Sequence, residues 1–284
     1  MAARTARVVG CLVLALVILV GLGVGAFLWL RSRGLTGPVP GQQRCVATAN
    51  DQSVTLDLEQ AHYTSIVVGL SVRRGLPPRA ASIAMATIYQ ETGIRNLDYG
   101  DRDSVGLFQQ RPSQGWGSRK QLLDPYYATD KFYDALVKIK DWKTEDITTV
   151  AQQVQNSSYP EAYRDHEADA RVLASALTGH SPAGFSCLER EGNPGQPSAL
   201  VSSIEKTFGK VSDETTQDKV VGIDARNGTL AWAYAGHALA NADRYGVVAV
   251  TVGGRQWQTE AFNLPTWTKI TPAIEKTRVE ITVR

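Results

Sequence analysis

The 284-residue chain sets 30 lysines and arginines against 28 aspartates and glutamates, for a net charge of +2, and 43% of it is hydrophobic. Such a balance, with no basic stripe interleaved with aromatics, argues against a nucleic-acid partner, and the hydrophobic share argues against a disordered chain. His62, His166, His180 and His237 are scattered without HxxxH or Cys/His ligand spacing, so neither a metal site nor a cofactor is expected.

Val8 to Leu30 is an uncharged apolar run that as a helix would be roughly 35 Å long, enough to cross a bilayer. It is longer than the apolar core of a secretory signal and meets Arg31 and Arg33 instead of a small-x-small cleavage site, so it predicts an uncleaved anchor. Arg4 and Arg7 nearly balance those two arginines, which leaves orientation open on charge alone. Gly21 and Gly25 have GxxxG spacing, a helix-pairing signal that ordinary membrane helices also carry by chance. Residues 1–33 are thus a stub and anchor, and 34–44, rich in glycine and proline, are a linker.

From 45 to 187 the pattern predicts a mainly α domain. Leu58 to Arg74 has helical periodicity and stops at Gly75, and Pro77-Pro78 opens a second helix through Glu91, closed by Gly93. Asp124-Pro125 starts a helix to about Lys140, Thr149 to Gln152 fits a capping box, and Pro160 opens a helix that runs to Gly179. Only Ser104 to Gln110 reads as extended. Cys45 and Cys187 flank this region, where a disulfide would tie its two ends together; two unrelated thiols are the other reading.

A break at 188–198 precedes a small α+β domain, 199–284. Helices are expected over Leu200 to Phe208 and Gly228 to Tyr245. Strands are expected at Val220 to Asp224, in the hairpin around Gly253-Gly254, and at the terminal RVEITVR. Asp224 and His237 make a conceivable polar pair, though no catalytic constellation stands out here.

In the second helix Ala80, Ile83, Ala84, Thr87 and Ile88 form one stripe, and Glu91 extends it. Its carboxylate therefore points with the apolar face. Burial and a helix C-terminus both disfavour the ionised form, which would suit a group that holds a proton for a glycosidic oxygen. Periodicity alone favours a helix-end glutamate that turns to solvent, because buried carboxyls are rare.

The order of elements adds to this. Helix, Glu91-Thr92, a polar loop with Ser104, then Gly106-Leu107-Phe108-Gln109 resembles the soluble lytic transglycosylase and goose-type lysozyme families of the lysozyme-like superfamily. There Glu-Ser at a helix end is followed by Gly-Leu-Met-Gln. Thr92 and Phe108 depart from that pattern, and a third motif, Ala-Tyr-Asn, matches only loosely at Val154-Gln155-Asn156, with Tyr163 for the tyrosine that follows. The resemblance spans roughly Leu56 to Leu177 and is nearest to membrane-anchored actinobacterial versions.

It implies a lysozyme-like fold and cleavage of peptidoglycan glycan strands, with Glu91 as general acid and base. Ser104, Gln109, Gln110, Gln155, Asn156 and Tyr163 would line the groove, and Tyr99, Trp116 and Tyr159 are further candidates for saccharide contact. A hydrolytic course would want a second carboxylate, for which Asp98, Asp101 and Asp103 are candidates, unless they are simply loop residues. The substrate would place the carboxyl-terminal bulk outside the cytoplasm, held to the cell membrane by the single helix, with peptidoglycan and cell-wall assembly proteins as expected partners. A non-catalytic relative that keeps the groove and binds wall or scaffolds a complex is the alternative.

Overall fold

A computed structural model describes residues 41–156, 161–190 and 192–284, together with Gly21, Gly23 and Gly25. The rest of the expected anchor at Val8 to Leu30, along with Tyr159 and Pro160, lies outside the described residues. Among the described residues no helix is long and apolar enough to cross a membrane. Residues Gln43–Arg284 pack as one compact α+β unit with two antiparallel sheets.

The first strands come where a linker and a helical domain were expected. β1 (Arg44–Ala49) and β2 (Gln52–Leu56) form a hairpin around Asn50 and Asp51, which both take positive φ, at 48° and 62°. Two such residues in a two-residue turn give a backbone twist that matches paired strands. β1 alternates buried Cys45, Ala47 and Ala49 with more exposed neighbours and is flanked on its other edge by β3 (Phe185–Leu188). Cys45 stands directly opposite Cys187 in that pairing, and the two form a disulfide. The bridge joins positions 142 residues apart.

Helix α1 (Leu58–Arg73) begins at a reciprocal cap: Asp57 accepts from the Gln60 N–H at 2.9 Å, and the Gln60 side chain accepts from the Asp57 N–H at 3.0 Å. The Gln60 amide also donates to the Gly93 carbonyl at 3.0 Å, which ties the start of α1 to the end of the next helix. That helix, α2 (Pro78–Thr92), has proline at its first turn and ends on Gly93 in the left-handed conformation at φ 60°. Every residue from Ala80 to Ile88 is buried. The expected one-sided stripe is therefore a helix enclosed all round, and small Ala80, Ala81, Ser82, Ala84 and Ala86 are what let neighbours approach on every side.

Three boundaries differ from expectation. α3 (Pro125–Leu136) stops at Leu136, because Lys138 and Ile139 donate to carbonyls three residues back and tighten the chain out of the α-helix. α4 (Ile147–Gln155) starts before Thr149: Asp146 is its cap and accepts from the Thr149 N–H at 3.1 Å. α5 (Glu167–Leu177) starts only after a 3₁₀ turn at Arg164–His166, so Ala162 and His166 precede it. Ser104 to Gln110 is a turn closed by one Val105–Gln110 bridge, not a strand.

Beyond the break, α6 (Pro197–Phe208) and α7 (Gly228–Ala240) accompany a six-stranded antiparallel sheet. Its order is β4 (Ser212–Gln217), β5 (Val220–Asp224), β9 (Arg278–Val283), β6 (Val247–Val252), β7 (Arg255–Gln258) and β8 (Thr268–Lys269). The expected helix to Tyr245 breaks at buried Asn241, whose side chain donates to the His237 carbonyl at 2.8 Å in competition with the helix backbone. A one-turn helix, Ala242–Tyr245, follows. Asp224 and His237 do not pair: Asp224 binds Arg278 at 3.0 Å, and His237 faces the Ser203 hydroxyl at 2.9 Å.

The two halves share one core. Trp257 of β7 donates to the Ser186 hydroxyl of β3 at 2.9 Å, and Trp267 donates to the Phe185 carbonyl at 2.8 Å. His62 of α1 meets Asn241 at 2.5 Å.

Candidate active site

Glu91 sits in the last turn of α2, half-buried. Its position follows from the Gly93 cap and the Gln60 tether, which hold the helix end, and from Thr92. The Thr92 hydroxyl lies 3.0 Å from the Ile88 carbonyl and 3.1 Å from the Leu107 carbonyl, and it accepts from the Arg95 N–H at 3.2 Å. The Thr92 hydroxyl thus joins the helix end to the Gly106-Leu107-Phe108-Gln109 turn.

Two donors converge on one oxygen of the carboxyl group. The Tyr163 hydroxyl donates to Glu91 Oε1 at 2.7 Å, and the Gln155 amide approaches the same atom at 3.3 Å. Tyr163 is 1% exposed, so its ring fixes the hydroxyl in place. Gln155 closes α4 and also donates to the Phe108 carbonyl at 2.7 Å, and Phe108 stacks on Phe132 with ring centres 4.6 Å apart. Oε2 has no protein partner among the described residues. One oxygen is positioned and the other is left for a ligand or a proton.

The remaining candidates divide. Gln109 has positive φ, and its amide lies 3.3 Å from both the Tyr99 and Gly106 carbonyls while its oxygen accepts from Ser104 at 3.0 Å. Ser104, 5% exposed, also donates to the Asp101 carbonyl. Gln110, 2% exposed, donates to the Ala128 carbonyl at 3.2 Å and anchors the turn to α3. Both were expected to reach a saccharide; they face inward because the tight turn needs side-chain bonds for its backbone. Asn156 is exposed and caps α4 in the left-handed conformation. Tyr99 is exposed, while Trp116 is half-buried against the core.

Of the three loop aspartates, Asp103 binds Arg111 at 2.9 Å and accepts from the Ser113 N–H at 2.8 Å. The Ser113 amide, then the guanidinium, hold its carboxyl down at about 2. Asp101 is exposed beside Arg102, and Asp98 is exposed, with its carbonyl taking a bond from Arg119. Among the described residues no cluster of three or more His, Cys, Asp or Glu is placed to hold a metal.

The sequence reading missed Tyr89 and His166, which stack 4.8 Å apart at an interplanar angle of 9°, with His166 Nε2 3.1 Å from the Gln90 side chain. Both rings are half-buried, Tyr89 two residues before Glu91 on α2 and His166 three residues after Tyr163. His166 had been weighed as a metal ligand and as part of a helical stripe, not as a stacking partner.

No protein-family model matches this chain, and no curated protein is similar to it.

Proposed function

We propose that this chain is a membrane-anchored, lysozyme-like enzyme that cleaves peptidoglycan glycan strands, with Glu91 as its catalytic acid. The observation that carries the reading is the two-donor grip on Glu91 Oε1 beside an unpartnered Oε2. A protonated Oε2 delivers its proton to the glycosidic oxygen as the bond to the anomeric carbon breaks, and the carboxylate left behind is held in place by Tyr163 and Gln155.

The second half-reaction follows from the surroundings. A carboxylate that has given up its proton can take one from the substrate's own 6-hydroxyl, which then closes an anhydro ring on the anomeric carbon. This course needs a single carboxylate. Asp103, engaged by Arg111 and Ser113, does not stand free as the second acid of a two-carboxylate hydrolysis, a role left to exposed Asp98 or Asp101. Gln109, Gln155 and Asn156, with the Tyr89–His166 pair, are proposed to frame the bound glycan, while buried Tyr163 positions Glu91.

The disulfide between Cys45 and Cys187 supports an oxidising location, and the apolar run Val8 to Leu30 supports attachment of that unit to the outer face of the cell membrane. The full chain in detergent, incubated with purified peptidoglycan, tests the proposal through mass spectrometry of what it releases. Anhydro-ended muropeptides are expected. Reducing ends would mean hydrolysis with a second carboxylate, and intact wall that co-sediments with the protein would make it a binding module instead.

A further inference from the structure

At the far end of α2 from Glu91, two cavities flank the first turn of α7. One, of about 510 Å³, has Trp232, Val252 and Ile270 among its lining, with Arg255, Lys269 and Lys276 around them. The other, of about 330 Å³, includes Pro78, His180 and Arg226. Thr229 lines both. Pro78 and Glu91 stand thirteen residues apart on α2, about 20 Å at about 1.5 Å per residue, so this place is separate from the candidate active site.

Its chemistry is one-sided. No aspartate or glutamate lines either cavity. Arg226, Arg255, Lys269 and Lys276 form no ion pair among the described residues, while neighbouring Arg278 is engaged by Asp224 and Glu280. Gly228 and Thr229 add first-turn N–H groups that have no carbonyl of their own helix to reach, and the Asn227 side chain takes the Leu230 N–H, at 2.8 Å, instead of theirs. Gly179 makes the arrangement possible: it has φ 82°, and a Cβ there would lie 1.9 Å from the Thr229 carbonyl, so only glycine lets the end of α5 rest on this turn. Trp232 meets Trp267 edge-on at 4.8 Å and contributes an aromatic surface to the larger cavity.

We infer that the two cavities form one binding site for an anionic saccharide, with a sugar ring against Trp232 and its phosphate or carboxylate among the four cations and the start of α7. Uncompensated cations around a partly apolar concavity attract anions, and an indole surface selects sugars over bare ions. The inference does not rest on the catalytic reading of Glu91.

Calorimetric titration of the full chain in detergent tests it with N-acetylglucosamine 1-phosphate, N-acetylmuramic acid, neutral N-acetylglucosamine and inorganic phosphate. At least one of the two charged sugars should bind at least tenfold more tightly than both the neutral sugar and inorganic phosphate. Stronger binding of the phosphate sugar would point to a phosphodiester-linked polymer as the source, and stronger binding of the muramic acid to a carboxylate-bearing glycan. Lys269→Ala with Lys276→Ala, both exposed and thus tolerated by the fold, should weaken that binding at least tenfold, while Glu91→Gln leaves it unchanged. Equal binding of the neutral sugar or of inorganic phosphate, an unchanged affinity in the double variant, or no saturable binding up to about 10 mM would overturn the inference.

Discussion

Two polar clusters of this molecule are built from similar parts and end differently. At the end of α2, Tyr163 and Gln155 grip one oxygen of Glu91 and leave the other open. Among α1, α6 and α7, His62, Asn241, Ser65, His237 and Ser203 form a chain held inside the core: Asn241 takes His62 at 2.5 Å, reaches Ser65 at 3.2 Å and donates to the His237 carbonyl, and His237 Nε2 faces Ser203 while its buried Nδ1 has no partner among the described residues. His237 and Asn241 are buried almost completely. A polar cluster with an unclaimed, reachable atom is equipped for chemistry, whereas one enclosed in the core specifies how two layers fit.

The contrast can be broken by substitutions that ought to act on only one side of it. Glu91→Gln keeps the side chain's size and removes the transferable proton, so muropeptide release should fall about a thousandfold while the melting temperature stays within a few degrees. Asn241→Ala should do the reverse. It leaves His62 and Ser65 without their buried partner and should cost about 3 kcal/mol of stability in a denaturant titration, with activity per folded molecule unchanged.

Acid should find the closed cluster next. Burial holds His62 down at about 4 and His237 at about 3, whereas an unfolded chain protonates both near 6.5. The unfolded state therefore takes up protons that the folded state refuses. Stability should be intact above about pH 6.5 and decline as pH falls toward 4, by roughly 4 kcal/mol at pH 5 for the two histidines together, and Asn241→Ala should start its decline from a lower level. The smallest effect is expected from Tyr163→Phe, which removes one of the two donors on Oε1. About a tenfold loss of activity with a stability change near 1 kcal/mol would place Tyr163 as a positioning residue. The loss should appear in kcat more than in KM.

Legibility followed locality. Caps and periodicity marked α1 and α2 to within a residue, because Gly75, Pro78 and Gly93 act on their own backbone. The Asn50-Asp51 hairpin carried an equally local signal, two residues suited to positive φ between alternating strands, and was overlooked in a segment read for its helices. β4 offered no such signal: SDETTQ has no apolar alternation, and only its place beside β5 makes it a strand. Glu91, Gln155 and Tyr163 were singled out from motif order, yet the convergence of two donors on one oxygen depends on α4 and the 161–166 turn folding back over α2. Ser104 was assigned to ligand by its place in the resembled motif order and Gln110 by residue type, and their burial is decided by a turn whose bonds are invisible in composition.

Proton transfer by Glu91 is the step on which the proposed activity depends. The most direct measurement is the rate of muropeptide release from purified peptidoglycan by the wild-type chain and by Glu91→Gln, with thermal melts recorded on the same samples. Matched melts and a loss of about a thousandfold in rate are expected. Release by the variant at the wild-type rate, or a loss accompanied by an equivalent loss of folded protein, would contradict proton transfer by Glu91.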